Sequence, residues 1–145
     1  NYFRHVLTFS GHPVSAAAAL KNIEIIQNEN MVENSRDVGA YFKEQLEGLA
    51  GDHPLIGDVR GRGLLMGVEL VSDRETRAPV AEDVHIADKL NERFKKYGLI
   101  LRMSGNIINI GPPICITEGE VDEIMHALDV SLWEVEGEMG IAQMA

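Results

Sequence analysis

The apolar positions of this chain switch between two spacings, and the switches mark out its elements. Pro13 is followed by Ala16-Ala17-Ala18-Ala19 and then by Leu20, Ile23, Ile25 and Ile26, which predicts a helix over residues 13–28. Small or apolar side chains cover most of its faces, the pattern of a helix gripped on several sides inside a larger assembly. Asn28-Glu29-Asn30 interrupts it. A second helix is predicted over residues 31–49. Val38, Phe42, Leu46 and Leu49 form one apolar stripe, and Glu33, Arg36, Asp37, Lys43, Glu44 and Glu47 fill the solvated side. Gly48, Gly51 and His53-Pro54 end it.

The spacing then falls to two. Leu64, Met66, Val68 and Leu70 share one face of a strand over residues 64–71, and Leu65, Gly67, Glu69 and Val71 share the other. One side is therefore well covered and the other partly. Gly57, Gly61 and Gly63 precede this strand with G-x-x-x-G-x-G spacing. They do not open a helix, so a bulge or a close backbone approach is expected in place of a nucleotide loop. Residues 72–82 read as a charged surface loop. A helix over residues 83–97 presents Ile86 or Ala87, Leu90, Phe94 and Tyr97 on one face and stops at Gly98. Residues 99–102 and 107–110 read as a β-hairpin around Ser104-Gly105-Asn106, with a further short strand at residues 114–116 after Gly111-Pro112-Pro113. Thr117-Glu118-Gly119-Glu120 has the form of a capping box. The helix behind it carries Val121, Ile124, Met125, Leu128, Leu132 and Val135 on one face, with Trp133 at the rim. From Gly137 the chain reads as a frayed tail. Helix, helix, strand, helix, hairpin, helix contains no βαβ repeat. The expected fold class is α+β, a small antiparallel sheet flanked by helices on one side.

The formal net charge of −10 over 145 residues repels nucleic-acid phosphates and anionic lipid, so no nucleic acid and no membrane is expected as a partner. No apolar run approaches the length that spans a bilayer. Cys115 is the single cysteine, so no disulfide forms within the chain, which suits a cytoplasmic location. Flanked by Ile114 and Ile116, it is expected to be a buried, inert thiol. The chain begins at Asn1 with residues of mid-protein character and is expected to be a piece of a larger soluble protein.

Candidate chemistry is sparse. His5, His12, His53, His85 and His126 share no metal-ligand spacing, and no Ser-His-Asp or Cys-His order marks a nucleophile. Lys21, Lys43, Lys89, Lys95 and Lys96 all fall in predicted helices, and none has the setting of a desolvated amine. Leu7-Thr8-Phe9-Ser10-Gly11-His12-Pro13 places hydroxyls and a Gly ahead of a helix N-terminus. That arrangement suits either an anion such as a phosphate or simple capping. Arg102 ends a short apolar strand beside a Gly turn. Its guanidinium suits either a ligand carboxylate or an ion pair with one of the 23 acidic side chains. For Arg60 and Arg62 a structural ion pair is expected.

Three stretches in order resemble the C-terminal portion of class III aminotransferases, which depend on pyridoxal 5'-phosphate. They are Leu7-Thr8-Phe9-Ser10-Gly11-His12-Pro13 with the Ala-rich helix, then Val59-Arg60-Gly61-Arg62-Gly63-Leu64-Leu65-Met66-Gly67-Val68-Glu69-Leu70, then Leu99-Ile100-Leu101-Arg102 through Ile110-Gly111-Pro112-Pro113-Ile114-Cys115-Ile116-Thr117. The resemblance implies the C-terminal small domain of a fold-type-I transferase, with residues 1–30 ending the large cofactor domain and residues 31–145 forming the small one. It implies a homodimer in which Thr8, beside the backbone at Leu7, serves the neighbouring subunit's cofactor phosphate. It implies that Arg102 binds the substrate carboxylate, as in the ω-amino acid and amine:pyruvate branch, where Pro often follows; here Met103 does. The implied reaction moves an amino group from an amine or ω-amino acid to a keto acid such as pyruvate. The family's catalytic lysine, its partner to the pyridinium nitrogen and its ring-stacking aromatic lie upstream, so these residues alone are expected to be inactive. The alternatives are a sister reaction on the same scaffold, an aminomutase or decarboxylase, and a non-catalytic binding or dimerisation module.

Overall fold

A computed structural model describes residues 8–141. The backbone divides into two units, residues 1–32 and 33–145. In the first, a turn over residues 8–11 leads into helix α1 (Pro13–Asn28). His12 caps it: its Nδ1 accepts from the Ser15 N–H at 3.4 Å, and Pro13 takes the first helical position, where a missing N–H costs nothing. Val14, Leu20 and Ile23 of α1 are exposed. Asn30, in a left-handed conformation, separates α1 from helix α2 (Met31–Asp52).

The second unit is an antiparallel sheet under three helices. Val38, Phe42, Leu46 and Leu49 of α2 are buried in its core, the stripe that the sequence predicts. Strand β1 (Ile56–Arg62) pairs with β2 (Leu65–Asp73). A two-residue strand β3 (Ala78–Pro79) adds to the end of β2. After one 3-10 turn (Glu82–Val84) comes α3 (Ile86–Lys96). Then β4 (Arg102–Ser104) and β5 (Ile107–Ile110) form a hairpin, and α4 (Glu118–Met139) closes the chain. The order across the sheet is β1-β2-β5-β4. Met66, Val68 and Leu70 of β2 and Ile108 and Ile110 of β5 point into the core with Leu90, Phe94, Leu128 and Leu132. Each such side chain contributes about 1.5–3 kcal/mol by leaving water. The opposite face of β2 holds exposed Leu65 and half-covered Gly67 and Glu69.

The departures from the sequence reading have physical causes, several of them distant in sequence. The Gly-rich stretch before β2 is itself a strand. Its alternation is hidden by glycine, and the β2 ladder, not its own side chains, makes it one. The expected bulge is present: the register shifts between Ile56 and Asp58. A Cβ on Gly57 would lie 2.5 Å from the Val71 Cγ1, and Val71 is buried although its face of β2 is otherwise open. Residues 72–82 contain β3 as well as loop. Helix α3 starts at Ile86 rather than residue 83.

Residues 99–101 are not strand. The Leu99 N–H closes α3 onto the Phe94 carbonyl at 2.8 Å, and the Gly98 N–H onto Lys95 at 3.2 Å, a Schellman ending around left-handed Gly98. Residues 114–116 form a turn. The Asn34 side-chain amide donates to the carbonyls of both Ile114 and Ile116 at 2.9 Å, and the Ile116 N–H turns back to Pro113. Cys115, at the crest of that turn, is exposed rather than buried. Residues after Gly137 continue α4 to Met139, where left-handed Gly140 ends it. The capping box is formed as read. Thr117 Oγ1 accepts from the Glu120 N–H, and the Glu120 carboxylate accepts from the Thr117 N–H at 2.8 Å.

Candidate functional site

The uncovered face of the sheet carries the polar chemistry. Its register sets Arg102 opposite Asn109, Asn109 opposite Gly67, and Gly67 opposite Arg60, one row across four strands. The next row holds Asp58, Glu69, Ile107 and Ser104. Within this face Arg60 is occupied. Its Nη1 donates to Asp58 at 2.7 Å and to Glu69 at 2.5 Å, and these bonds push its pKa up. The expected structural role for Arg60 is met. Arg62 forms no ion pair among the described residues.

Arg102 differs from Arg60 in the way that matters for binding. It sits on the edge strand β4, exposed, and among the described residues no carboxylate pairs with it. The structural ion pair left open by the sequence is absent there. Its strand is held by Asn109, whose amide donates to the Arg102 carbonyl at 3.1 Å and to Ser104 Oγ at 3.0 Å. Arg102 borders an apolar groove of about 520 Å³ lined by Leu65, Leu99, Leu101, Ile110, Pro112 and Ile124. A cation at the rim of an apolar groove suits a ligand with an anionic end and an apolar body. Asn109 carries no sequence signal beyond its polarity between Ile108 and Ile110, both buried.

In the first unit, the Thr8 hydroxyl is exposed in the turn before α1. Gly11 adopts φ +79°, a left-handed value that glycine takes without strain. Leu7 lies outside the described residues.

None of the five lysines is buried. Lys21, Lys43, Lys89 and Lys96 are paired with Glu24, Glu47, Glu138 and Glu134, and Lys95 is exposed. Among the described residues no group of three or more His, Cys, Asp or Glu is placed to hold a metal, and no helix is long and apolar enough to cross a membrane.

Comparison with known proteins agrees with this architecture. The taurine–pyruvate aminotransferase of Bilophila wadsworthia is 40% identical over 147 residues, covering 97% of this chain and 32% of that protein. A transaminase from the marine bacterium Virgibacillus superposes with a TM-score of 0.87 at 35% identity, over 97% of this chain and 32% of that one. An ω-transaminase from Pseudomonas jessenii, in complex with PMP, superposes with a TM-score of 0.86 at 35% identity, over 95% of this chain and 30% of that one. The chain thus spans about a third of the length of these relatives. The family model described as aminotransferase class-III matches residues 2–132. The chain belongs to the class-III aminotransferase family.

Proposed function

We propose that these residues are the C-terminal portion of a pyridoxal-phosphate-dependent transaminase that moves an amino group from an amine or ω-amino acid to a keto acid such as pyruvate. One observation carries the reading beyond family membership: the Arg102 guanidinium stands without a carboxylate partner among the described residues, at the rim of an apolar groove. At the far end of the same row, Arg60 is locked between two carboxylates. The fork of Arg102 is free to take both oxygens of a substrate carboxylate, or the oxygens of a sulfonate, while the groove takes the substrate's apolar part.

The cofactor, when bound, supplies an electron-withdrawing ring that stabilises charge on the substrate carbon losing its proton. The residues present fit a limited share of holding it. The exposed Thr8 hydroxyl is a suitable single donor to its phosphate, in the neighbouring subunit of a homodimer. No lysine here fits the amine that must bond to the cofactor and carry the proton, since none is buried. That lysine is supplied by the part of the protein outside these residues, and the chain by itself is inactive.

Steady-state kinetics of the full-length protein test the assignment. Arg102→Ala should lower kcat/KM for pyruvate about ten- to a hundredfold, the loss of a hydrogen-bonded charge pair. It should leave the half-reaction of an apolar amine close to wild type. Equal loss for both substrate classes would remove Arg102 from the site. Failure of the wild-type protein to transfer an amino group to any keto acid would favour the sister reactions on this scaffold.

A further inference from the structure

His53 joins two elements through a charged cluster that the Arg102 groove does not use. It follows α2, ahead of β1, and is 2% exposed. Its Nδ1 lies 2.8 Å from Glu136 Oε2 and its Nε2 lies 2.8 Å from Asp129 Oδ1, both on α4. Glu136 is fully buried, and its other oxygen accepts from the Leu55 N–H at 3.1 Å. Neutral imidazole has one N–H and one lone pair, so it would turn that lone pair on a carboxylate. Imidazolium has two N–H groups and satisfies both acceptors. It also neutralises Glu136, whose charge would otherwise be buried alone.

The remaining charges around the ring agree with a cation there. From the turn after β2, the Arg74 guanidinium donates to the His53 carbonyl at 2.6 Å and to the Ile56 carbonyl at 2.9 Å, and also to Ala50, gripping the backbone rather than the ring. Asp52 on α2 and His126 on α4 line the cleft beside Asp129. Leu55 and Ile56 bring no charge. Burial alone would lower the pKa of His53, but the bonds to Glu136 and Asp129 outweigh it and hold the pKa above its ordinary value.

We propose that His53 is a titratable latch: its imidazolium pins the C-terminal half of α4 to the α2–β1 junction, and loss of its proton releases that half. The sign follows from the partners. The latch is closed below the ordinary histidine range and opens as pH rises through the raised value. Helix α4 also lends Ile124 to the Arg102 groove, so latch and groove share one helix.

The test uses the full-length protein with ring-labelled histidine. Below the ordinary histidine range both His53 nitrogens should carry protons. As pH is raised, their deprotonation should coincide with a loss of amide-exchange protection over residues 129–139, after correction for intrinsic rates. His53→Gln should abolish that step. Glu136→Gln should shift it to lower pH, and it keeps the test decisive if His53→Gln does not fold. A ring already neutral below the ordinary histidine range, protection that is unchanged through deprotonation, or a step that stays in place in Glu136→Gln would each overturn the latch.

Discussion

Gly39 of α2 and Gly63 at the tip of the β1–β2 hairpin touch backbone to backbone: a Cβ on Gly39 would stand 2.3 Å from the Gly63 carbonyl oxygen. No rotamer change relieves that overlap, because both partners are main chain. Gly63 itself has φ +57°, so the turn is shaped around it. The contact sets how closely α2 lies on the hairpin that leads into the polar face of the sheet.

Gly39→Ala is therefore expected to destabilise the protein by about 1–3 kcal/mol, the range for overpacking, even after the helix preference of alanine. Gly48→Ala in the same helix meets nothing within 4 Å. It should stabilise by about 0.5–1 kcal/mol. Denaturant midpoints of the two variants should move in opposite directions. Movement in the same direction would mean that the α2–hairpin contact is not close.

The Thr117–Glu120 box makes a second prediction, in stability against pH. The Glu120 carboxyl is held below its usual pKa by the Thr117 N–H first and the Thr117 hydroxyl second. A lowered folded pKa stabilises above the unfolded value, and that contribution disappears as pH falls through the folded one. Thr117→Ala should cost about 1 kcal/mol at neutral pH. The gap between variant and wild type should narrow on acidification. A gap that is constant from pH 7 to pH 3 would show that the Thr117 hydroxyl takes no part in holding the carboxylate.

The parts of this fold that were legible in sequence are those whose cause is local. The stripe of Val38, Phe42, Leu46 and Leu49, the alternation of Met66, Val68 and Leu70, and the capping box each lie within one element. The illegible parts depend on distant partners. β1 is a strand because Arg60 and Gly61 find Gly67 and Met66 across the ladder. Ile114 and Ile116 look like strand residues, but their carbonyls belong to Asn34, 80 and 82 residues earlier. Arg102 shows the same limit at the site. Which of 23 carboxylates an arginine meets is a question of register, and the register gives Asp58 and Glu69 to Arg60.

Cys115 follows from that same turn. Two isoleucines beside a cysteine suggest burial, yet the turn held by Asn34 puts the thiol on the surface. A thiol reagent should label this chain, separately expressed, stoichiometrically without denaturant if the chain folds. Asn34→Ala should leave the labelling and lower the stability, since it strips the donor from two carbonyls. Labelling that required denaturant would restore the buried reading.

Asn109 lines the Arg102 groove and also braces the strand that carries Arg102. Its amide joins the Arg102 carbonyl to Ser104 across the hairpin, and its own strand is held by β2 through Gly67. Asn109→Ala should thus loosen an edge strand, and it should cost about 1 kcal/mol of stability. In the full-length enzyme it should raise KM for a keto acid less than Arg102→Ala does and leave kcat with an apolar amine unchanged. The distinguishing measurement is the double variant. If Asn109 works by holding the strand that presents the guanidinium, Asn109→Ala adds nothing to the keto-acid KM once Arg102 is alanine, whereas the loss of stability persists. Additive effects on KM would instead mean that Asn109 contacts the substrate itself.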